Sequence, residues 1–180
     1  KKLSSLVVIL FLVSSLSFAQ NIHQGKIGLG LDDVNSPNLL MKYFFSDNFA
    51  GQVIVGFDLQ SLGGDEPAGY TKVSGTDFRI GLGGLYHFNL DKVSPYFGVE
   101  AMFRTQKAPG FYITDTEPDA QNYILANIVL GGEFFLNEKF SLGIKHTLGF
   151  NFELSQDKPK HDTNVYFNTG TVFTGRFYFN

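Results

Sequence analysis

Apolar residues alternate with small or polar residues along most of the chain after residue 23. In Phe49–Gln60 the odd positions carry Phe, Gly, Val, Val, Phe and Leu, whereas the even positions carry Ala, Gln, Ile, Gly, Asp and Gln. Because successive side chains of a β-strand point to opposite faces, this pattern predicts a strand with one apolar and one polar face. Eight segments follow the pattern: Gln24–Leu31, Asn38–Phe45, Phe49–Gln60, Gly75–Phe88, Ser94–Thr105, Gln121–Leu136, Phe140–Leu154 and Thr163–Phe179.

The connections between these segments alternate in length. Residues 46–48, 89–93 and 137–139 are short polar turns, whereas residues 61–74, 106–120 and 155–162 are longer and rich in Gly, Pro and charge. The first loop at the rim of longer loops, Asp32–Pro37, is the exception and is short. Short turns at one rim and longer loops at the other are typical of barrels that cross a membrane with an apolar outer face. The pattern therefore predicts an all-β fold, an eight-stranded antiparallel up-and-down transmembrane β-barrel.

The N-terminal segment has the three parts of an export signal. Lys1 and Lys2 precede an apolar run that ends in Ser17-Phe18-Ala19, a small-x-small cleavage site. A membrane anchor helix is the alternative, but the run is interrupted by serines and is short for a span of about 20 residues. We expect a cleaved signal peptide at residues 1–19 and a barrel domain at residues 20–180. This predicts export to the outer membrane of a Gram-negative bacterium.

With its strand number, loop asymmetry and export signal, the chain resembles the small eight-stranded outer-membrane barrels of the OmpA/OmpX type. The closing segment, residues 173–180, is similar to the C-terminal signal that these barrels present to the barrel-assembly machinery. Its aromatic residues are Phe173, Phe177 and Phe179; the family ends on an aromatic residue, whereas here Asn180 follows Phe179. The resemblance implies contact with outer-membrane lipid, lipopolysaccharide and the assembly machinery, and it rests on architecture, which leaves the activity open.

The inward positions carry the concentrated polar chemistry of the chain. Five acidic and five basic residues fall there by parity: Lys42, Asp58, Asp77, Arg79, Glu100, Arg104, Glu133, Lys145, Glu153 and Arg176. Charges in a narrow lumen are costly unless they are paired, and an eight-stranded barrel is just wide enough for side chains to fill. The hairpins predict two pairs, Asp77 with Arg104 and Glu133 with Lys145. We therefore expect a closed lumen with paired charges; the alternative is a narrow channel or small-molecule conduit.

Other classes of function find less support in the sequence. Seventeen acidic residues outnumber fourteen basic ones, which argues against nucleic-acid binding. Some eight-stranded barrels are lipid A deacylases or palmitoyl transferases, but His146 lies outward by parity, His87 lies near a periplasmic turn and His161 lies in a loop. The absence of Cys excludes thiolate metal sites, and no spacing typical of a metal site or cofactor occurs. We expect no enzyme activity, no cofactor and no metal.

A structural or surface-interaction role is the remaining prediction. The loops at residues 61–74 and 106–120 combine Tyr70, Phe111 and Tyr112 with acidic residues, a mixture that is common at recognition surfaces. These loops predict adhesion or binding of an extracellular partner. A soluble barrel of the lipocalin type would need the apolar face inside, which the charged inner face disfavours.

Overall fold

A computed structural model describes residues 24–32, 37–61, 63, 65, 67, 70–88, 92–113, 119–154 and 164–179. The predicted signal peptide at residues 1–19 and the terminal Asn180 lie outside these residues. Within the described part of the chain, no helix is long and apolar enough to cross a membrane.

The described residues form ten β-strands. These are β1 (Ile27–Asp32), β2 (Asn38–Phe44), β3 (Phe49–Gln60), β4 (Tyr70–Val73), β5 (Gly75–His87), β6 (Val93–Lys107), β7 (Gly110–Ile113), β8 (Gln121–Asn137), β9 (Phe140–Leu154) and β10 (Val165–Phe179). Eight of them close into an antiparallel barrel in the order β1-β10-β9-β8-β6-β5-β3-β2, so each strand pairs with its sequence neighbours among these eight and β1 pairs with β10. The predicted fold class is confirmed.

The strands are staggered around the barrel. A row of cross-strand partners that starts at Leu29 and passes from β2 once round the wall reaches β10 at Phe167. The direct partner of Leu29 in β10 is Phe177, so the row returns to β10 ten residues away from where it would close without stagger. A stagger of this size requires strands tilted by about 40° to the barrel axis. Each residue therefore advances about 2.5 Å along the axis, given a rise of about 3.3 Å along a strand.

The outer surface is apolar, as the alternation predicted. Phe173 is 71% exposed and Phe167 is 64% exposed, although both are large aromatic residues. Rings cluster at the two rims, with contacts such as Phe140 with Phe177 near the short turns and Phe150 with Phe167 near the longer loops. The inner positions are buried and combine charged, polar and apolar side chains. Two rims of aromatic rings around an apolar band are typical of barrels that contact lipid.

Two differences from the sequence-based boundaries affect the upper half of the barrel. Strands β4 and β7 lie within the segments predicted as loops and pair with each other in a separate two-stranded sheet.

Strands β1 and β2 are the shortest of the barrel, with six and seven residues. Asp32 was predicted to begin a loop, but it is the last residue of β1 and its side chain is buried. Its parity with Gly28 and Gly30 places it on the inner face.

Candidate functional site

A buried carboxylate, Glu133 of β8, is the centre of the lowest polar layer in the lumen. Its Oε2 lies 2.9 Å from Lys42 Nζ, and its Oε1 lies 3.1 Å from Arg176 Nη1. Ser141 Oγ and Tyr178 OH both donate hydrogen bonds of 2.5 Å to Oε1. The contact with Arg176 is an ion pair without an aligned hydrogen bond. We call this cluster of Lys42, Glu133, Ser141, Arg176 and Tyr178 the floor.

The floor exists because the barrel is closed. Lys42 lies on β2, Glu133 on β8 and Arg176 on β10, and alternation directs all three side chains inward. Each of the three is essentially fully buried. Lys42 Nζ also lies 5.5 Å from the ring centre of Phe44 and 5.2 Å from that of Tyr96, so aromatic faces surround the ammonium group. A charge so enclosed is tolerable only because its partners surround it.

His87 extends the floor towards β6. Its Nδ1 lies 2.8 Å from Ser94 Oγ, and its Nε2 lies 3.3 Å from Lys42 Nζ. A Ser–His contact is also found in nucleophilic enzymes, but both residues here are enclosed by the wall. A substrate therefore has no route to this serine, and the contact serves to satisfy buried polar groups.

A second layer lies above the floor and joins the short strand β1 to the opposite wall. Lys145 Nζ lies 2.6 Å from Asp32 Oδ2 and 3.3 Å from Glu100 Oε1. Asn38 donates a hydrogen bond of 2.7 Å to Asp32, and Gln52 donates one of 2.5 Å to Glu100. These contacts connect strands on both sides of the lumen.

The third layer contains the predicted pair of Asp77 and Arg104. Arg104 donates to both carboxylate oxygens, from Nε at 3.1 Å and from Nη2 at 2.6 Å. Arg79 Nε lies 3.3 Å from the same carboxylate. These side chains border a cavity of about 390 Å³ above the second layer, and we call this cavity the vestibule.

The other predicted pair, Glu133 with Lys145, does not form. Glu133 faces Gly143 across the β8–β9 ladder, and Lys145 faces Gly131, so Lys145 lies two positions above Glu133. In the pair that does form, Arg104 lies two positions below Asp77. Glu133 therefore belongs to the floor and Lys145 to the layer above it. Asp32, Ser141 and Tyr178 were not among the predicted lumen residues, although their inward parity is a signal in the sequence that marks them.

The remaining predicted lumen residues lie near the upper rim. Asp58 is half-buried and accepts a hydrogen bond of 3.0 Å from Gln60. Glu153 accepts hydrogen bonds from Asn164 at 2.7 Å and Tyr166 at 3.4 Å. Both carboxylates accept hydrogen bonds from neutral donors near the upper rim.

The aromatic residues predicted as the assembly signal lie on the outer face of the barrel. Phe173, Phe177 and Phe179 point outward from β10 and are exposed. Among the described residues, no group of three or more His, Cys, Asp or Glu side chains is arranged to hold a metal ion. His146 also points outward, in a regular part of the β9–β10 ladder, with Nδ1 2.7 Å from Thr171 Oγ1.

Among known proteins, only solved structures are similar to this chain. No family model matches the chain, and no curated protein matches it. The N-terminal β-barrel domain of Pseudomonas aeruginosa OprF is 16% identical, with 89% of this chain and 100% of that chain covered and a TM-score of 0.48. Ail, the attachment invasion locus protein of Yersinia pestis, is 18% identical, with 87% and 99% covered and a TM-score of 0.46.

Proposed function

We propose that this protein is an outer-membrane barrel with a sealed lumen, which acts as a structural element and holds a recognition surface outside the cell. The exposed apolar outer face between two aromatic rims supports insertion into a bilayer, whose hydrocarbon such a band of about 25 Å would match. The observation that carries the sealed lumen is the floor. Glu133, Lys42 and Arg176 are essentially fully buried and occupy the space that an ion would have to cross.

The floor disfavours the alternative of a channel. An ion passing through would have to separate Glu133 from two cations and break the hydrogen bonds from Ser141 and Tyr178. Separating a buried pair leaves uncompensated charges, at a cost of about 3–5 kcal/mol. The lining of the vestibule reaches Lys145 and Glu100 and includes none of the five floor residues, which supports a lumen closed below the vestibule.

Conductance in a planar bilayer tests the sealed lumen. We expect the refolded barrel to be silent and a Glu133→Ala, Arg176→Ala double variant to conduct, because the double change removes the centre of the floor. An Arg79→Ala, Arg104→Ala variant is the matched control, since it widens the vestibule and leaves the floor in place. Steady ion-selective openings in the wild type would overturn the proposal.

A separate observation supports a surface-interaction role. The sheet of β4 and β7 has four paired positions and lies apart from the barrel sheet, with Tyr70 43% exposed. Aromatic residues on such a surface are common where proteins meet partners.

If the sheet binds another cell surface, cells that display the wild type should clump and therefore settle faster than cells with a Tyr70→Ser, Tyr112→Ser variant. A Gln60→Ser variant in β3 controls for display, and equal settling of all three would exclude this role for the sheet.

A further inference from the structure

The lower end of the vestibule has an excess of negative charge. Asp32 and Glu100 share a single cation there, because Lys145 Nζ lies 2.6 Å from the carboxylate of Asp32 and 3.3 Å from that of Glu100. All three side chains line the cavity and are buried. Two carboxylates beside one ammonium group leave a negative charge without compensation, and a buried charge of this kind is costly. A second cation would therefore be stabilised at this level.

Two oxygen atoms at the same level accept no hydrogen bond from the described residues. They are Oε2 of Glu100 and Oδ1 of Asn127, and the two residues are only 3% and 5% exposed. Glu100 and Asn127 are direct partners across the β6–β8 ladder, and both line the vestibule. Buried oxygen atoms of side chains normally accept a hydrogen bond. The group that is missing here is a donor, and the excess negative charge favours a charged donor such as an ammonium group.

The upper end of the vestibule has the opposite excess. Arg79 and Arg104 both pair with the single carboxylate of Asp77, and these three residues also line the cavity. Asp58 faces Asp77 across the β3–β5 ladder, but it does not line the cavity and accepts its hydrogen bond from Gln60. The side chain of Arg104 is 28% exposed, so a solute can reach this end of the cavity. Guanidinium groups bind carboxylates through charge-assisted hydrogen bonds, so this end favours an anion.

An apolar section separates the two charged ends. Successive inward residues of β6 are Glu100 at the lower end, then Met102, and then Arg104 at the upper end. Arg104 lies about 10 Å above Glu100 along the axis. Leu125 is the direct partner of Met102 on β8, and both side chains line the cavity. Along one strand, the vestibule therefore presents a carboxylate, then hydrocarbon, and then a guanidinium group.

We propose that the vestibule binds a small zwitterion, a linear amino acid with an ammonium group at one end and a carboxylate at the other. The ammonium group lies at the lower end and donates to Glu100 and Asn127. The carboxylate lies at the upper end beside Arg79 and Arg104, and the methylene chain packs against Met102. A simple cation or anion compensates one end alone, whereas a zwitterion compensates both and adds no net charge. A cavity of about 390 Å³ is within the usual size range of small-molecule sites.

The inference rests on the proposed sealed lumen for one consequence only. Above a closed floor, the bound amino acid is held in the barrel and does not pass through it, so the vestibule acts as a receptor site. Conductance tests the floor, whereas equilibrium binding tests the vestibule. A failure of the proposed function and a failure of this inference are therefore distinguishable.

Isothermal titration calorimetry of the refolded barrel in uncharged maltoside micelles tests the site. The probe is γ-aminobutyrate, and the matched compounds n-butylamine and butyrate each keep one of its charged ends. We expect saturable binding of γ-aminobutyrate that is tighter than binding of either single-ended compound by about tenfold or more. Glycine has both charges but cannot span the apolar section, so it should also bind about tenfold more weakly.

Two substitutions assign the ends of the ligand, and each leaves the other charges of its layer paired. Glu100→Gln should weaken binding of γ-aminobutyrate and n-butylamine by about tenfold and leave butyrate unchanged. Arg104→Gln should weaken binding of γ-aminobutyrate and butyrate by a similar factor and leave n-butylamine unchanged. Glu138→Gln, in the exposed turn after β8, is the matched control and should bind all the compounds like the wild type.

The other outcomes overturn the proposal. Equal affinity for γ-aminobutyrate and n-butylamine would show a cation site alone, and equal affinity for γ-aminobutyrate and butyrate would show an anion site alone. Absence of saturable heat from all the compounds at two temperatures would show that water alone satisfies the buried oxygen atoms. Heat-dependent gel mobility verifies that the variants are folded. Asn127→Ala replaces Glu100→Gln, and Arg79→Gln replaces Arg104→Gln, if the first choice does not fold.

Discussion

At the scale of single residues, buried charge dominates the behaviour of this barrel. Glu133 has four polar partners, and two of them, Lys42 and Arg176, are cations without access to water. Such a cluster contributes less to net stability than its contacts suggest, because burial of each charge is costly. Removal of one charged member is strongly destabilising, because the remaining buried charges then lack an opposite charge beside them.

The substitution Glu133→Gln tests this asymmetry. It leaves Lys42 and Arg176 buried beside a neutral amide, so we expect the free energy of unfolding to fall by about 3–5 kcal/mol. Urea titration of the refolded barrel in vesicles measures the change. Glu153→Gln at the upper rim is the matched control, with an expected loss below about 1 kcal/mol because solvent screens this carboxylate. Equal losses of unfolding free energy in the two variants would show that burial in the floor does not increase the cost of neutralising a carboxylate.

Glycines on the inner face provide a second test at this scale. A Cβ atom at Gly28 would lie 2.6 Å from Cε1 of Tyr178, whose ring is buried and whose hydroxyl is bound to Glu133. The ring cannot move away without loss of that hydrogen bond, so Gly28→Ala should destabilise the barrel by about 1–3 kcal/mol in the same titration. Gly132 lies on the outer face of β8, where no heavy atom lies within 4 Å of the added Cβ, and Gly132→Ala should be tolerated.

At the scale of elements, the sheet of β4 and β7 differs from the barrel strands. Its ladder has four paired positions among the described residues, whereas β8 pairs along most of its length with both β6 and β9. A sheet of two short strands is marginal by itself and opens without unfolding of the barrel. We therefore expect β4 and β7 to open more readily than the barrel strands.

Hydrogen exchange measures this difference. We expect the amides of Thr71 and Tyr112 to exchange far faster than the amide of Val129, which lies in the middle of β8. The reason is that opening of the small sheet breaks few hydrogen bonds, while opening at Val129 requires separation of three barrel strands. Similar protection at both places would indicate that β4 and β7 are held by contacts beyond their own ladder.

At the scale of the whole molecule, the position of the short turns predicts the orientation of the proposed outer-membrane barrel, with these turns on the periplasmic side. The absence of Cys from the chain allows a labelling test with single introduced thiols. In intact cells, an impermeant maleimide should label Gly63→Cys beyond β3, and it should label Glu138→Cys in the turn after β8 only when the outer membrane is made permeable. Val129→Cys, with no exposed surface, is the unlabelled control. Labelling of Glu138→Cys in intact cells would reverse the orientation or place the protein elsewhere.

The local pattern of the sequence was sufficient for the class of fold. Alternation depends on each residue and its immediate neighbours, so eight strands, an apolar outer face and an inner face with charges were all predictable from it. The same parity places Asp32 and Tyr178 inside. Turn chemistry likewise separated the rim of short turns from the rim of longer loops.

The tertiary structure decided which charges meet. Partners in the lumen depend on height along the axis, and height depends on the stagger of ten residues around the closed ring, which alternation does not encode. Hairpin geometry alone identified Asp77 with Arg104, which lie on the neighbouring strands β5 and β6. It failed for Glu133, whose charged partners come from β2 and β10 through closure of the barrel.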